Sequence, residues 1–326
     1  MGIKAKISVF FYELRRKFLH LLGLDRRKKR SLTSRKRARL IFIVCGVAMP
    51  LINLCVFWIP TNINSIIMAF QVNTPTGMKA GFDYFEMLFN EFKNPLSQIS
   101  ESLRNTMIFF CVDMFIKLPL CFMFSFFIFK KIRGYKIFRY IFYLPSIISS
   151  VVLTSMVLFM AGPGGPITRV WEFFTGEAPM FFADSDYALK SILVYGLWSG
   201  FGSSMIFYTA AMVRIPESII EYGRLDGIGF LKEVVHIVIP LVWPTLSVFI
   251  LMGFVDIFSA SGPILLFTSG EYNTYTLSFW IYAKTVGISG ANQNYAAAVG
   301  LFFTLVGTPI ALMVKWITDR IEPVEY

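Results

Sequence analysis

Asp113 and Lys117 stand four residues apart, a spacing that puts both on one face of a helix, where opposite charges can pair. They lie inside a long apolar block. Asp256 lies near the end of another, with Met252 and Ala260 rather than a cation at the i±4 positions. Ionisable groups in such blocks neutralise one another, line a path for a solute, or relay ions and protons. The Asp113–Lys117 pair therefore reads as mutual neutralisation or as part of a pathway. Asp256 reads as lining a pathway, capping its helix or touching a partner chain. Tyr195, Trp198, Tyr208, Trp280, Tyr282 and Tyr295 have ring faces that can stack on a sugar, although Tyr and Trp also gather at membrane interfaces. Hydrolytic and metal chemistry find little support. His20 and His236 are far apart, and Cys45, Cys55, Cys111 and Cys121 match no zinc spacing and read as small buried residues. No catalytic residues and no metal site are expected.

The elements that must hold these residues follow from composition. The chain has 326 residues, 56% hydrophobic and 16% charged, and several blocks run about 20 residues without a charge. About 20 apolar residues carry a helix across the hydrocarbon, and helices satisfy their backbone polar groups where no water can. The sequence predicts an all-α integral membrane protein with six transmembrane helices at 40–59, 107–129, 141–161, 188–213, 237–258 and 296–314. Lys and Arg divide 24 to six between the two sides, with Lys190 at the start of the fourth span counted to the outer side and Lys117 inside a span. Basic residues favour the cytoplasmic side, so both termini are expected in the cytoplasm. Residues 1–39 then form a basic cytoplasmic segment, 40–320 the six-helix domain with a cytoplasmic loop at 214–236, and 321–326 a short tail. The first 39 residues are too long and too basic for the charged start of a cleavable signal peptide.

The net charge of +11 does not point to nucleic acid. Ile7, Phe10, Phe11, Leu14, Phe18 and Leu21 recur at helical spacing, with Arg15, Arg16 and Lys17 on the polar side, as in a helix lying in the membrane interface. The basic run Arg26–Arg30, followed by Arg35, Lys36 and Arg37, suits anionic lipid headgroups. The long outer segments after the first, third and fifth spans are expected to fold or to bind something. Gly162-Pro163-Gly164-Gly165-Pro166 lacks the Gly-Lys-Ser/Thr ending of a phosphate loop and reads as a tight turn closing the third span.

The loop at 214–236 carries the densest pattern. It runs Ile215-Pro216-Glu217-Ser218-Ile219-Ile220-Glu221-Tyr222-Gly223-Arg224-Leu225-Asp226-Gly227-Ile228-Gly229, and Pro240 and Pro244 follow. Pro216 suits a helix start, and Glu217 the first turn, where the dipole favours an acid. Gly227 and Gly229 suit its end, because glycine accepts positive φ. Pro240 and Pro244 fall in the opening turns of the next span. The result is a short rigid helix-turn unit joined to two membrane helices, able to pass on a push from a soluble partner.

This loop resembles the EAA motif of permease subunits in binding-protein-dependent ABC importers. That pattern, Glu-Ala-Ala, Asp-Gly-Ala, Ile-x-x-Pro and a further Pro, stands here as Glu221-Tyr222-Gly223, Asp226-Gly227-Ile228, Ile237-x-x-Pro240 and Pro244. The alanines are replaced, and the Glu, Asp, Gly and Pro positions keep their spacing. From about residue 40 to 320 the chain is similar to maltose-type sugar permeases, through Asn105-Thr106, Phe138-Arg139, Tyr143-Leu144-Pro145, Asp256 and Tyr295-Ala296-Ala297-Ala298. The glycine-rich turn of those permeases after span five is altered here to Thr268-Ser269-Gly270-Glu271-Tyr272. The resemblance implies a non-enzymatic subunit of the bacterial cytoplasmic membrane that imports a sugar or oligosaccharide. It further implies a second permease forming a heterodimer, two ATPase subunits holding ATP and Mg, and an extracytoplasmic binding protein. Glu217, Glu221, Gly223, Arg224, Asp226, Gly227, Pro240 and Pro244 would couple the chain to the ATPase. Asp256, Tyr195, Trp198, Tyr208, Tyr282 and Tyr295 would line the substrate pathway. An ABC permease for another solute and an ion-coupled carrier working alone are the alternatives. A membrane-embedded enzyme lacks the residues it needs.

Overall fold

The computed structural model describes residue 13 and residues 34–74, 77–288 and 290–321. The expected interfacial helix at residues 7–21 and the tail beyond 321 lie outside them. The chain divides into two compact units, Met1–Ile63 and Asn64–Tyr326.

In the first unit, α1 (Ser34–Asn53) leads into a π turn at Leu54–Trp58, and α2 (Ile59–Ala69) then runs on into the second unit. The sequence predicts that the first span ends at residue 59. It continues because Thr61 Oγ1 and Asn62 Nδ2 donate back to the carbonyls of Phe57 and Trp58, at 2.6 and 2.7 Å. Polar side chains that satisfy themselves on the preceding turn do not stop a helix.

The second unit opens with an antiparallel hairpin, β1 (Gln71–Thr74) and β2 (Gly77–Ala80), in register Gln71 to Ala80. This small sheet departs from the all-helical expectation. Helices α3 (Asp83–Phe92) and α4 (Gln98–Val112) follow, then a π turn at Asp113–Lys117 and α5 (Leu118–Phe129). Gly134, at φ +89°, starts α6 (Tyr135–Ile147), and α7 (Ser150–Met160) comes next. The expected single span at 141–161 is instead this pair, bent by 112°. Ile148 and Ser149 are both extended, with ψ of 141° and 134°, and two extended residues end any α-helical ladder. The glycine-rich turn forms as expected. Gly164 takes φ +72°, Gly165 N–H donates to Gly162 O at 2.9 Å, and Pro166 opens α8 (Pro166–Thr175).

Helix α9 (Ala188–Met212) is followed by α10 (Glu217–Leu225), the short α11 (Phe230–Glu233), a π turn at Val234–Val238 and α12 (Ile239–Val255). The chain ends with α13 (Ile264–Phe267), α14 (Leu277–Val286) and α15 (Gln293–Thr318). Pro240 and Pro244 therefore do not open the fifth span. It begins at Phe230, and Pro240 sits just past the π turn.

Among the described residues, four helices are long and apolar enough to cross a membrane: Arg39–Ala69, Gln98–Phe129, Phe230–Val255 and Gln293–Thr318. A fifth crossing results if the bent pair is one span. Helix α9, the remaining expected span, has 25 residues and is roughly 38 Å long. Its middle is diluted by Gly196, Ser199, Gly200, Gly202, Ser203 and Ser204. Three apolar clusters hold the unit together. One joins α5, α9 and the start of α12 around Phe126, Met205 and Val238. A second gathers the hairpin, α3, α14 and α15 around Leu88, Trp280 and Val299. The third packs Leu153, Ile192, Ile264 and Phe267.

Candidate functional site

Two regions carry the predicted residues. The first is the loop. Helix α10 has Glu217 in its first turn and is closed by Gly227 at φ +72°. Ile228 N–H donates to Gly223 O at 3.0 Å, the six-to-one bond of a Schellman stop. One face of α10 is anchored: Ile220 is buried, and a Cβ on Gly223 would stand 2.6 Å from Ile237 Cδ1. Glycine at 223 thus lets the helix lie directly on the π turn of the next span. The other face is open. Glu217, Glu221 and Asp226 are exposed, and so are Tyr222 at 68% and Leu225 at 83%. Arg224 lies on this helix, and its side chain is outside the described set. The helix thus presents acids and apolar side chains together on its open face.

Sequence reasoning missed the brace behind this loop. Glu233, at the end of α11, pairs with Lys130 at the end of α5, and the two side chains are only 8% and 12% exposed. The Phe230 ring lies 4.9 Å from Phe126 and 5.6 Å from Phe127. No local signal links positions 130 and 233.

The second region is a cleft between α4–α5, α9 and α12. The Lys117 ammonium donates to Asp113 Oδ1 at 2.5 Å, as the spacing predicted. Both residues, with Tyr208 and Asp256, line a cavity of about 420 Å³ together with Ser204, Ser259 and Ser261. A second cavity of about 240 Å³ is also lined by Asp113 and Lys117, with Gly196, Ser199, Ser261 and Gly262. The Lys117 chain runs along Gly200, where a Cβ would come within 3.3 Å of its Cδ and Nζ. The glycines and serines that dilute the hydropathy of α9 are thus largely the residues that make room for the cleft. Asp256 caps α12, and its backbone N–H donates to Met252 O at 3.0 Å. Its side chain is exposed at the edge of the cavity. The cleft carries two carboxylates and one ammonium among hydroxyls, a lining that wets readily and offers hydrogen bonds to a polar solute.

The other predicted pathway aromatics lie elsewhere. Tyr195 is buried, with its hydroxyl 3.1 Å from Thr154 Oγ1 and its ring on Phe267. Trp198 packs against the same cluster. Tyr295 is buried between Tyr84 and Trp280, with ring centroids at 5.7 and 5.4 Å. Tyr282 is 42% exposed beside Phe279 and lines neither cavity. Tyr208 alone of the six residues Tyr195, Trp198, Tyr208, Trp280, Tyr282 and Tyr295 reaches the cleft.

Asn105 and Thr106 form a third structural feature. Asn105 is fully buried, and its Nδ2 donates to the carbonyls of Asn273 and Tyr275, both at 2.8 Å. Thr106 Oγ1 accepts from Leu277 N–H at 2.8 Å. Together they hold the turn at 268–276, in which Ser269, Gly270, Tyr272 and Asn273 all have positive φ.

The chain is thus a helical membrane bundle with a charged cleft and a short helix seated against the foot of one span. The chain belongs to the family described as "binding-protein-dependent transport system inner membrane component", which matches residues 117–323. It is 24% identical over 246 residues to protein LplB of Bacillus subtilis, covering 74% of this chain and 76% of that protein. It is 27% identical over 290 residues to the lactose transport system permease protein LacF of Rhizobium radiobacter, covering 84% and 94%. Its fold matches a chain in the crystal structure of a bacterial ABC transporter for import of the acidic polysaccharide alginate. That match has a TM-score of 0.71 and 24% identity, and covers 88% of this chain and 98% of the other.

Proposed function

We propose that this chain is the permease subunit of an ATP-driven importer for a saccharide, driven through the loop at 214–236. The observation that carries the reading is the two-faced helix α10, seated through Ile220 and Gly223 on the foot of a membrane span, with its opposite face exposed. In this reading the four apolar spans, the bent pair and α9 make six crossings, with both termini in the cytoplasm. The 24-to-six division of basic residues supports that orientation. Glu217, Glu221, Arg224 and Asp226 then face a cytoplasmic ATPase, one of two that hold ATP and Mg. The chain itself binds no nucleotide and catalyses no reaction. A second permease completes the pathway, and a binding protein outside the membrane delivers the solute. Asp113, Lys117, Tyr208 and Asp256 line this subunit's share of the path. The lactose and alginate transporters among its relatives support a saccharide as cargo.

The test is co-expression with the neighbouring transporter genes, followed by purification through a tag on this chain. An ATPase is expected to co-purify, and Gly227→Trp to lose ATP turnover while the chain stays folded. A left-handed site imposes roughly 1–2 kcal/mol on any L side chain, and Gly227 has such a φ at the docking helix's stop. A chain that purifies alone and drives uptake on a proton or sodium gradient would replace the importer with an ion-coupled carrier.

A further inference from the structure

The Lys130–Glu233 pair has no evident part in docking an ATPase or in lining the cleft, yet it is more deeply buried than the Asp113–Lys117 pair. Charges taken out of water are held together firmly, because separating them leaves each one uncompensated. The place of this pair in the chain is specific. Glu233 directly precedes the π turn Val234–Val238, and the loop helix rests on Ile237 of that turn through Gly223. Lys130 caps α5, whose other end is the π turn carrying Asp113 and Lys117 into the cleft. The surrounding contacts are apolar, from Phe126, Phe127 and Phe230, and apolar rings slide where an ion pair does not.

We propose that Lys130 and Glu233 are a positioning pair that makes the foot of the 230–255 helix and α5 move as one body. A displacement of α10 is thereby delivered to the Asp113–Lys117 turn of the cleft. The inference rests on the reading of 214–236 as the ATPase-facing loop. It differs from a purely local stabilising role in one respect: loss of the pair disconnects the cleft from the nucleotide without dissociating the ATPase.

The experiment uses the assembled complex in lipid vesicles, with the four cysteines of this chain replaced by alanine and Ser204→Cys as a reporter in the cleft. The rate of labelling by a methanethiosulfonate reagent is read without nucleotide and with MgATP plus vanadate. The parent complex is expected to change its labelling rate at least fivefold between the two states. Lys130→Met and Glu233→Gln are each expected to cut that response below twofold while ATP hydrolysis continues, and the exchanged pair K130E/E233K to restore it. Glu233→Gln keeps the size of the side chain and one acceptor oxygen while removing its charge, so it carries the test if Lys130→Met fails to assemble. Single variants that keep the full response would overturn the inference, and so would an exchanged pair that assembles without regaining it. A parent complex with no nucleotide response would instead overturn the coupling reading, and this inference with it.

Discussion

Replacing Asn105 by alanine tests whether α4 holds the turn at 268–276 in place. The position is fully buried, so no water stands ready to take over its bonds. The substitution removes two donations, to Asn273 O and Tyr275 O, each at 2.8 Å. Each carbonyl left without a partner costs about 1–3 kcal/mol, so the turn loses at least about 2 kcal/mol relative to its open form. Strain adds to the effect. Ser269, Tyr272 and Asn273 hold left-handed φ values of 53–57°, a conformation that non-glycine residues leave readily once restraint is gone. A loss of about 2 kcal/mol corresponds to roughly 30-fold more frequent local opening. Amide hydrogen exchange over residues 268–279, in detergent or nanodiscs, reads this directly. Asn105→Asp is a matched control of nearly the same size. Its carboxylate only accepts, so it faces the two carbonyls with repulsion and is expected to open the turn at least as far. Exchange unchanged within about threefold in both variants would refute the assignment of Asn105 as the anchor.

Three further outcomes follow from the same geometry. Gly202→Ala would set a Cβ 2.6 Å from the Phe142 carbonyl and 2.7 Å from Ser146 Oγ, so α9 must move away from α6 at a cost of about 1–3 kcal/mol. Gly200→Ala meets only the flexible end of Lys117 and is expected to cost less, so equal melting temperatures for the two variants would contradict the close approach at Gly202. Lys117→Met leaves the Asp113 carboxylate without its cation, with 40% of its side chain exposed. A destabilisation of about 1–2 kcal/mol is expected, and it should be recovered in the double variant with Asp113→Leu if neutralisation is the main role of the pair. Asp256→Asn is exposed and is expected to change stability by less than about 0.5 kcal/mol. It should reduce vesicle uptake of the saccharide that the partner binding protein retains at least tenfold, and uptake at the parent rate would remove Asp256 from the pathway.

The loop was legible because each of its features is local. Pro216 and Glu217 suit a first turn, Gly227 suits a left-handed stop, and the intervening residues form the helix by proximity alone. The Asp113–Lys117 pair was legible for the same reason, since the spacing of four decides it. The cleft was not. Asp256, Tyr208 and Ser204 meet that pair only when α12 and α9 fold against α4 and α5, and nothing in their own neighbourhoods marks the meeting. The aromatics did not point to the cleft because a buried Tyr with a hydroxyl partner, as at Tyr195, has the same composition signal as one facing a cavity. The bend at Ile148–Ser149 was hidden by hydropathy, which averages over side chains and is blind to two extended backbone residues inside an apolar run.

The prolines offered a signal that hydropathy did not. Each of the three described π turns is followed, after one residue, by a proline: Leu54–Trp58 by Pro60, Asp113–Lys117 by Pro119 and Val234–Val238 by Pro240. A proline has no N–H to offer the carbonyl four residues back, and its ring crowds that carbonyl. Widening the preceding turn by one residue relieves the conflict without breaking the helix. The residue before each proline accordingly donates five positions back: Ile59 to Leu54, Leu118 to Asp113 and Ile239 to Val234. An extra residue turns the flanking helical segments by roughly 100° relative to one another. At Pro119 the widened turn carries Asp113 and Lys117 to the cleft, and at Pro240 it carries Ile237 to Gly223. At Pro119 and Pro240 the π turn thus marks where the face of the helix changes, whereas Pro50, Pro145, Pro244 and Pro309 stand inside helices with no π turn directly before them.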